Sequence, residues 1–243
     1  MKDVTRDALF DGELSLLQPA RGYRVNVDAL LLAHFCGAKR VARLVDLGAG
    51  VGAIALALHH LGSVREALLV EKDPELVELA RENLAHNAVS GTVHLFDLSG
   101  GRVPRGLASS ADLVVCNPPF FEPRTGRDRA ESAGRGARFG QLGPFVVAAA
   151  KLLGSQRARA CFCYPAHSLA LLLEEARAAK LVAKRLRLVH ALGSEPARLA
   201  LVELRRARPG GLVVEPGLVE WDAPGARSAE LSALLDRRAS GRR

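Results

Sequence analysis

The chain is poor in cysteine and has no long apolar run. Its four cysteines, Cys36, Cys116, Cys161 and Cys163, show neither CxxC nor Cys/His ligand spacing. That excludes a dense disulfide framework and gives no metal site, and it reads as reduced, apolar thiols of a cytoplasmic protein. No apolar stretch reaches the roughly 18–20 residues a membrane span needs. Met1–Phe10 alternates charged and apolar residues and has no signal-peptide core. No segment repeats. The expectation is a cytoplasmic monomer with no membrane and no metal.

What is present suits one large α/β domain or a domain with a small appendage. The 243 residues are 49% apolar and 25% charged, near globular averages, which excludes a disordered chain, a collagen and a coiled coil. The net charge is +8, and 28 of the 34 basic residues are arginine. Such an excess favours polyanions. It also fits arginines spread over solvated surface, and composition does not choose between the two.

The middle of the chain alternates strand and helix signals. Val41–Leu47, Ala67–Val70, Thr92–Leu98, Asp112–Cys116 and Ala158–Tyr164 read as buried parallel strands. Val51–Leu61, the segment from Asp73-Pro74 to about Asn87, Leu142–Leu153 and His167–Lys180 read as helices. Asp73 is the expected N-cap, with Pro74 in the first turn. Asn83 and Asn87 read as helix-end residues. Lys184–His190 and Arg198–Arg206 are joined too closely for a crossover and should pair antiparallel. A strand near Leu212–Trp221 and a short helix near Ala229–Leu235 should precede a frayed, arginine-bearing end. Glu122–Phe139, with five arginines and three acids, reads as a long mobile loop. The divisions are 1–38 as an N-terminal lid segment, 39–208 as a Rossmann-like core, and 209–243 as an extension packed on that core or trailing from it.

Asp46-Leu47-Gly48-Ala49-Gly50-Val51-Gly52 lies where a strand turns into a helix. Its G-x-G-x-G spacing departs from the GxGxxG dinucleotide fingerprint, and Asp46 would repel a diphosphate. A glycine run alone also serves a tight turn. Glu71 ends the second strand, where a carboxylate can accept ribose hydroxyls, and Asp97 ends the third, where it can meet an adenine amine. Three acids at three consecutive strand ends suit a cationic nucleoside, S-adenosylmethionine.

Asn117-Pro118-Pro119-Phe120 follows the fourth strand. Two prolines stiffen the turn and can hold the Asn117 side-chain oxygen and the Pro118 carbonyl as paired acceptors. Such a pair stabilises a planar amine that gains positive charge as it attacks a methyl group. Phe120 offers a stacking face for a base.

The order DLGAGVG, VEKDP, FDL, DLVVCNPPFF resembles the class I S-adenosylmethionine-dependent methyltransferases with an N-P-P-[FY] motif. With Gln18-Pro19, Gly22-Tyr23-Arg24-Val25-Asn26-Val27-Asp28 and Pro196-Ala197-Arg198-Leu199, it is similar to the bacterial tRNA (valine) adenine-N6 methyltransferase family. The resemblance covers roughly residues 10 to 210. It implies a seven-stranded sheet of order 3-2-1-4-5-7-6 with the last strand antiparallel. It places Asp46, Gly48 and Gly50 at the cofactor's methionyl end, Glu71 at its ribose and Asp97 at its adenine edge, with Lys72, Leu98 and Asn117 as further cofactor-binding candidates. Asn117, Pro118 and Phe120 fall on the amine site. It implies methyl transfer to an exocyclic amine, the N6 of an adenine beside the anticodon of a tRNA.

Asn26 and Asp28 are either a helix cap with a first-turn acid or part of a lid with Asp28 near the cofactor's ammonium. Phe121, Arg124, Arg127, Arg135 and Arg138 are candidates for substrate contact, the arginines for RNA phosphates. Guanine-N2 methylation of ribosomal RNA and glutamine-N5 methylation of a release factor use similar turns. Relatives of those kinds usually carry a larger segment before the glycine loop than the 45 residues found here. A non-catalytic RNA-binding protein would have no need of an intact Asn117-Pro118-Pro119-Phe120.

Overall fold

Short apolar runs become the central strands of one sheet, because helices cover both of its faces and bury most of their positions. The computed structural model describes residues 3–22, 24–37, 39–119 and 142–236. A hairpin of β1 (Val4–Leu9) and β2 (Leu14–Pro19) leads into α1 (Val27–Cys36). The alternating region follows as β3 (Val41–Leu47), α2 (Ala53–His60), β4 (Val64–Glu71), α3 (Pro74–His86), β5 (Gly91–Leu95), β6 (Leu113–Cys116), α4 (Leu142–Leu152), β7 (Arg159–Pro165) and α5 (Leu169–Ala178). Then come β8 (Val182–Leu192), β9 (Ala197–Arg205), β10 (Val213–Val214), β11 (Leu218–Ala223), β12 (Ala226–Arg227) and α6 (Ala229–Leu235).

The main sheet runs β5-β4-β3-β6-β7-β9-β8-β11-β12, with β10 also beside β8. Strands β5, β4, β3, β6 and β7 are mutually parallel, and β9 is antiparallel to both β7 and β8. The α/β Rossmann-like class I methyltransferase sheet is therefore present in the expected order. Seven strands was too few: the described residues form a ten-stranded sheet. The 11-residue β8 would otherwise leave a long open edge, and β10 and β11 pair along it.

Two apolar layers form. Leu44, Val115 and Cys161 pack with α1 and α2 on one face; Val45, Leu47, Val114 and Phe162 pack with α4 and α5 on the other. Caps behave as their chemistry requires. Asp73 Oδ1 accepts from the Glu75 amide at 2.9 Å, and Ser228 Oγ from Leu231 at 3.1 Å.

The hairpin is fastened by two asparagines on α3 and its C-terminal end. Asn83 is wholly buried. It accepts from the Leu17 amide at 2.7 Å and donates to the carbonyls of Leu17 and Val51, both at 2.9 Å. One turn on, Asn87 accepts from the Ser15 amide at 3.0 Å and donates to the Ser15 carbonyl at 2.8 Å. Spacing of i, i+4 puts both amides on one face, so α3 pairs with β2 much as a neighbouring strand would. Asn83 and Asn87 are thus tertiary clamps more than helix-end residues.

Helix α1 is gripped at both ends. Its last carbonyls accept from arginines, Phe35 from Arg185 and Cys36 from Arg159 at 3.0 Å, where cations meet the negative helix end. At its start, Asp28 is ion-paired with Arg198 of β9 at 2.7 Å.

Candidate active site

The carboxyl ends of β3, β4 and β6 open onto one cleft of about 750 Å3, within the range of small-ligand sites. Its wall takes Gly48 and Ala49 from the glycine loop, Glu71 and Lys72 after β4, Asp97 and Leu98 after β5, and Asn117, Pro118 and Pro119 after β6. Arg24, Val25, Asn26, Pro144 and Phe145 also line it. This is where open parallel sheets bind ligands.

The glycine loop turns its amides inward. Gly48 and Ala49 donate to the Val70 carbonyl at 2.9 and 3.1 Å, and Gly50 donates to Glu71 Oε2 at 2.9 Å. A pyrophosphate cradle would leave such amides free; this loop does not. Gly48 has φ +67°, and a Cβ there would meet the Phe145 ring at 3.1 Å. Gly52 has φ +86°, and a Cβ would lie 2.9 Å from Leu69. Glycine is required at both positions.

Glu71 is buried and accepts three amides, from Gly50, from Lys72 at 2.8 Å and from Asp73 at 3.0 Å. It latches the loop to the end of β4 while lining the cleft. Asp97 is exposed in the cleft mouth and accepts from the Ser99 amide at 2.9 Å and its hydroxyl at 2.8 Å. Those bonds hold its carboxyl below the usual carboxylate range.

Asp46 is placed differently from expectation. It is wholly buried and does not line the cleft; strand alternation turns it toward α1 and α2. Neither carboxylate oxygen has a hydrogen-bond partner among the described residues. Burial, and then the Glu71 carboxylate, push it up to about 8, while the Ala55 backbone pulls slightly the other way. Gly50 likewise meets Glu71 rather than the cleft.

Of the two readings of Asp28, the first-turn acid of α1 is the one present. Its carboxylate is engaged by Arg198 and by the Asn26 amide at 3.0 Å, and it is not part of the cleft wall. What reaches the cleft from that segment is Arg24, Val25, Asn26 and Ala29. The hairpin fixes the first two: Arg24 pairs with Asp7 at 2.7 Å, and the Val25 amide donates to Gln18 Oε1 at 2.8 Å.

Asn117 lines the cleft with its Oδ1 buried and without a hydrogen-bond partner among the described residues. Pro118 beside it is buried and Pro119 exposed. The structure brings together Gly48, Glu71, Lys72, Asp97, Leu98, Asn117 and Pro118. Phe120, Phe121, Arg124, Arg127, Arg135 and Arg138 lie outside the described residues. Sequence reading offered Asn26 only as a cap or part of a lid, and it missed Phe145 and the clamp of Asn83. Only Asn83 carried a signal, an asparagine in the middle of an apolar helix face.

An acidic cleft at strand ends, a glycine loop with satisfied amides and an acceptor without a partner among the described residues suit a class I methyltransferase site, and the cleft's volume and charge suit S-adenosylmethionine. Residues 25–133, a little under half of the chain, match the Methyltransferase small domain, and the fold is that of the class I S-adenosylmethionine-dependent methyltransferases. The chain is related to the tRNA1(Val) (adenine(37)-N6)-methyltransferases. It is 24% identical to that of Haemophilus influenzae (strain PittGG) over 208 residues, 85% of this chain and 87% of the relative. It is 30% identical to that of Erwinia tasmaniensis over 156 residues, 63% of each.

Among solved structures, a predicted O-methyltransferase of Agrobacterium tumefaciens aligns over 88% of this chain and 99% of that one, with 22% identity and a TM-score of 0.67. TYW2 of M. jannaschii in complex with AdoMet aligns over 85% and 88%, with 12% identity and a TM-score of 0.55. These likenesses are of fold.

Proposed function

We propose that the protein methylates the N6 of an adenine in tRNA, beside the anticodon. The observation that carries the chemistry is Asn117: its buried Oδ1, without a partner among the described residues, lines the cleft at the end of β6. A buried acceptor left empty is costly unless a ligand fills it. The adenine and the tRNA are supported by the relatives, whose names specify that reaction.

Bound S-adenosylmethionine supplies an electrophilic methyl on a sulfonium. Glu71 would accept a ribose hydroxyl at the one lone-pair site its three amides leave free, and Asp97 would face the adenine amine. Gly48 and Ala49 would lie against the methionyl end, with Lys72 and Leu98 flanking the nucleoside. Asn117 Oδ1 and the Pro118 carbonyl would accept the two hydrogens of the substrate amine, which stabilises the charge that develops as its nitrogen attacks. Phe120 and Phe121 would stack the base, and Arg124, Arg127, Arg135 and Arg138 would meet RNA phosphates.

The deciding experiment incubates the protein with methyl-labelled S-adenosylmethionine and, separately, total tRNA, ribosomal RNA and release factors. Label in tRNA, recovered as N6-methyladenosine by mass spectrometry, supports the reading. Label confined to N2-methylguanosine of ribosomal RNA or to a release-factor glutamine overturns it.

A further inference from the structure

Asn26 caps α1 in sequence but not in geometry. Its backbone is extended, at φ −114° and ψ 174°, as an N-cap's should be, yet its side chain makes no cap hydrogen bond. Its Nδ2 instead donates to Asp28 Oδ2 at 3.0 Å. With the amide nitrogen turned inward to Asp28, the carbonyl Oδ1 is the polar atom left for the cleft that Asn26 lines.

Asp28 is itself held from behind. Its other oxygen accepts from Arg198 Nη2 at 2.7 Å. The same guanidinium donates through Nε and Nη2 to both oxygens of Glu220, at 2.5 Å each. Asp28 and Glu220 are both buried. A half-buried arginine between two buried carboxylates has its donors directed by fixed partners on each side. The chain of contacts thus runs Glu220, Arg198, Asp28, Asn26, from strand β11 in the extension to the cleft wall.

We infer that Arg198 and Glu220 are positioning residues for methyl transfer: acting through Asp28, they aim the Asn26 carbonyl into the cleft as an acceptor for an N–H donor. This rests on the cleft being the cofactor site. Two donors enter it, the ammonium of the cofactor's methionyl end and the amine of the substrate. A neutral acceptor suits either one, and Asp28, its two oxygens taken up by Arg198 and the Asn26 amide, leaves the task to Asn26. The residues beyond 209 then belong to the working site, since without Glu220 the guanidinium loses its second anchor and Asp28 its fixed position.

The test uses the full chain with Asn26→Ala, Glu220→Gln and the double variant. Calorimetry measures S-adenosylhomocysteine and its analogue lacking the amino group; steady-state kinetics measures methyl transfer to the substrate identified above. If the donor is the ammonium, each single variant weakens S-adenosylhomocysteine binding about tenfold and leaves the analogue unchanged. If the donor is the substrate amine, both affinities stay and kcat falls about tenfold instead. In either case Glu220→Gln adds nothing in the Asn26→Ala background, because it acts through that residue. The inference is overturned if Asn26→Ala alters neither quantity, or if the two effects simply add. A fall in melting temperature alone, with binding and kcat unchanged, also overturns it and leaves the triad structural. Failure of the unsubstituted protein to bind either S-adenosylhomocysteine or the analogue would instead show that the cleft is not the cofactor site.

Discussion

Leu17 and Asn83, 66 residues apart in sequence, share two hydrogen bonds: the Leu17 amide donates to Asn83 Oδ1 at 2.7 Å, and Asn83 Nδ2 donates to the Leu17 carbonyl at 2.9 Å. The same Nδ2 also donates to Val51 in the glycine loop. One side chain therefore joins the N-terminal hairpin, α3 and the loop beneath the cofactor cleft.

Replacing Asn83 with alanine leaves the Leu17 amide and the Leu17 and Val51 carbonyls without these partners inside the fold. A loss of about 2–4 kcal/mol is expected, since each buried group left unsatisfied costs roughly 1–3 kcal/mol and some will reach water. Asn87→Ala, at a half-buried helix end, should cost less. Denaturant unfolding gives the sizes, and hydrogen exchange at the Leu17 amide locates the change. Slow exchange retained there in Asn83→Ala would refute the clamp.

Asn117→Ala removes an acceptor from the cleft without disturbing a hydrogen bond among the described residues. The methylation rate should fall on the order of 10² or more, while S-adenosylmethionine affinity changes little. Single-turnover kinetics with calorimetry separates the two. Near-normal turnover would remove Asn117 from the amine site.

Asp97→Ala should weaken cofactor binding about tenfold and leave folding unchanged, because its carboxylate is exposed and its hydrogen bonds go to the neighbouring Ser99. Glu71→Ala should do more: it frees three amides and unlatches the loop, so both affinity and stability fall. Equal effects of the two variants on melting temperature would contradict this division.

Asp46 makes stability depend on pH with a definite sign. Its pKa in the folded protein is raised, to about 8, so ionisation opposes folding. Below about pH 4 the group is protonated in both states and costs nothing. As pH rises from about 4 toward 8 the unfolded chain ionises it and the fold resists, so stability declines across that window and levels off above it. Asp46→Asn removes the titration. It should be more stable than the parent near the upper end of that window, with the gap closing at its lower end. A gap independent of pH would mean the ionised form is accommodated.

Arg124, Arg127, Arg135 and Arg138, if they meet RNA phosphates, set the salt dependence of binding. Changing all four to serine should flatten the slope of log affinity against log salt by roughly 0.7–0.9 for each phosphate no longer neutralised. Filter binding of tRNA between about 50 and 200 mM salt measures it. An unchanged slope would assign these arginines to plain surface.

The cofactor fold was legible because its signals are local. Parallel strands are short apolar runs, Asp73-Pro74 is a cap by itself, and a G-x-G-x-G turn after a strand excludes a dinucleotide loop by spacing alone. Glu71, Asp97 and Asn117 could be named because each stands at the end of a strand, and parallel strands bring their ends to one side. The order β5-β4-β3-β6-β7-β9-β8 followed from the resemblance and is present.

What a side chain does at such a position depended on partners distant in sequence. Asp46, Asp28 and Glu71 are all acids beside the site, and nothing local distinguishes them. Packing sends Asp46 under α1 and α2 without a partner among the described residues, gives Asp28 to an arginine 170 residues away, and leaves Glu71 on the wall. The extension likewise read as a strand and a short helix; only the open edge of β8 shows why it adds strands to the sheet. Periodicity and caps are written residue by residue. The pairing of charges and the satisfaction of buried polar groups arise only when the chain closes on itself.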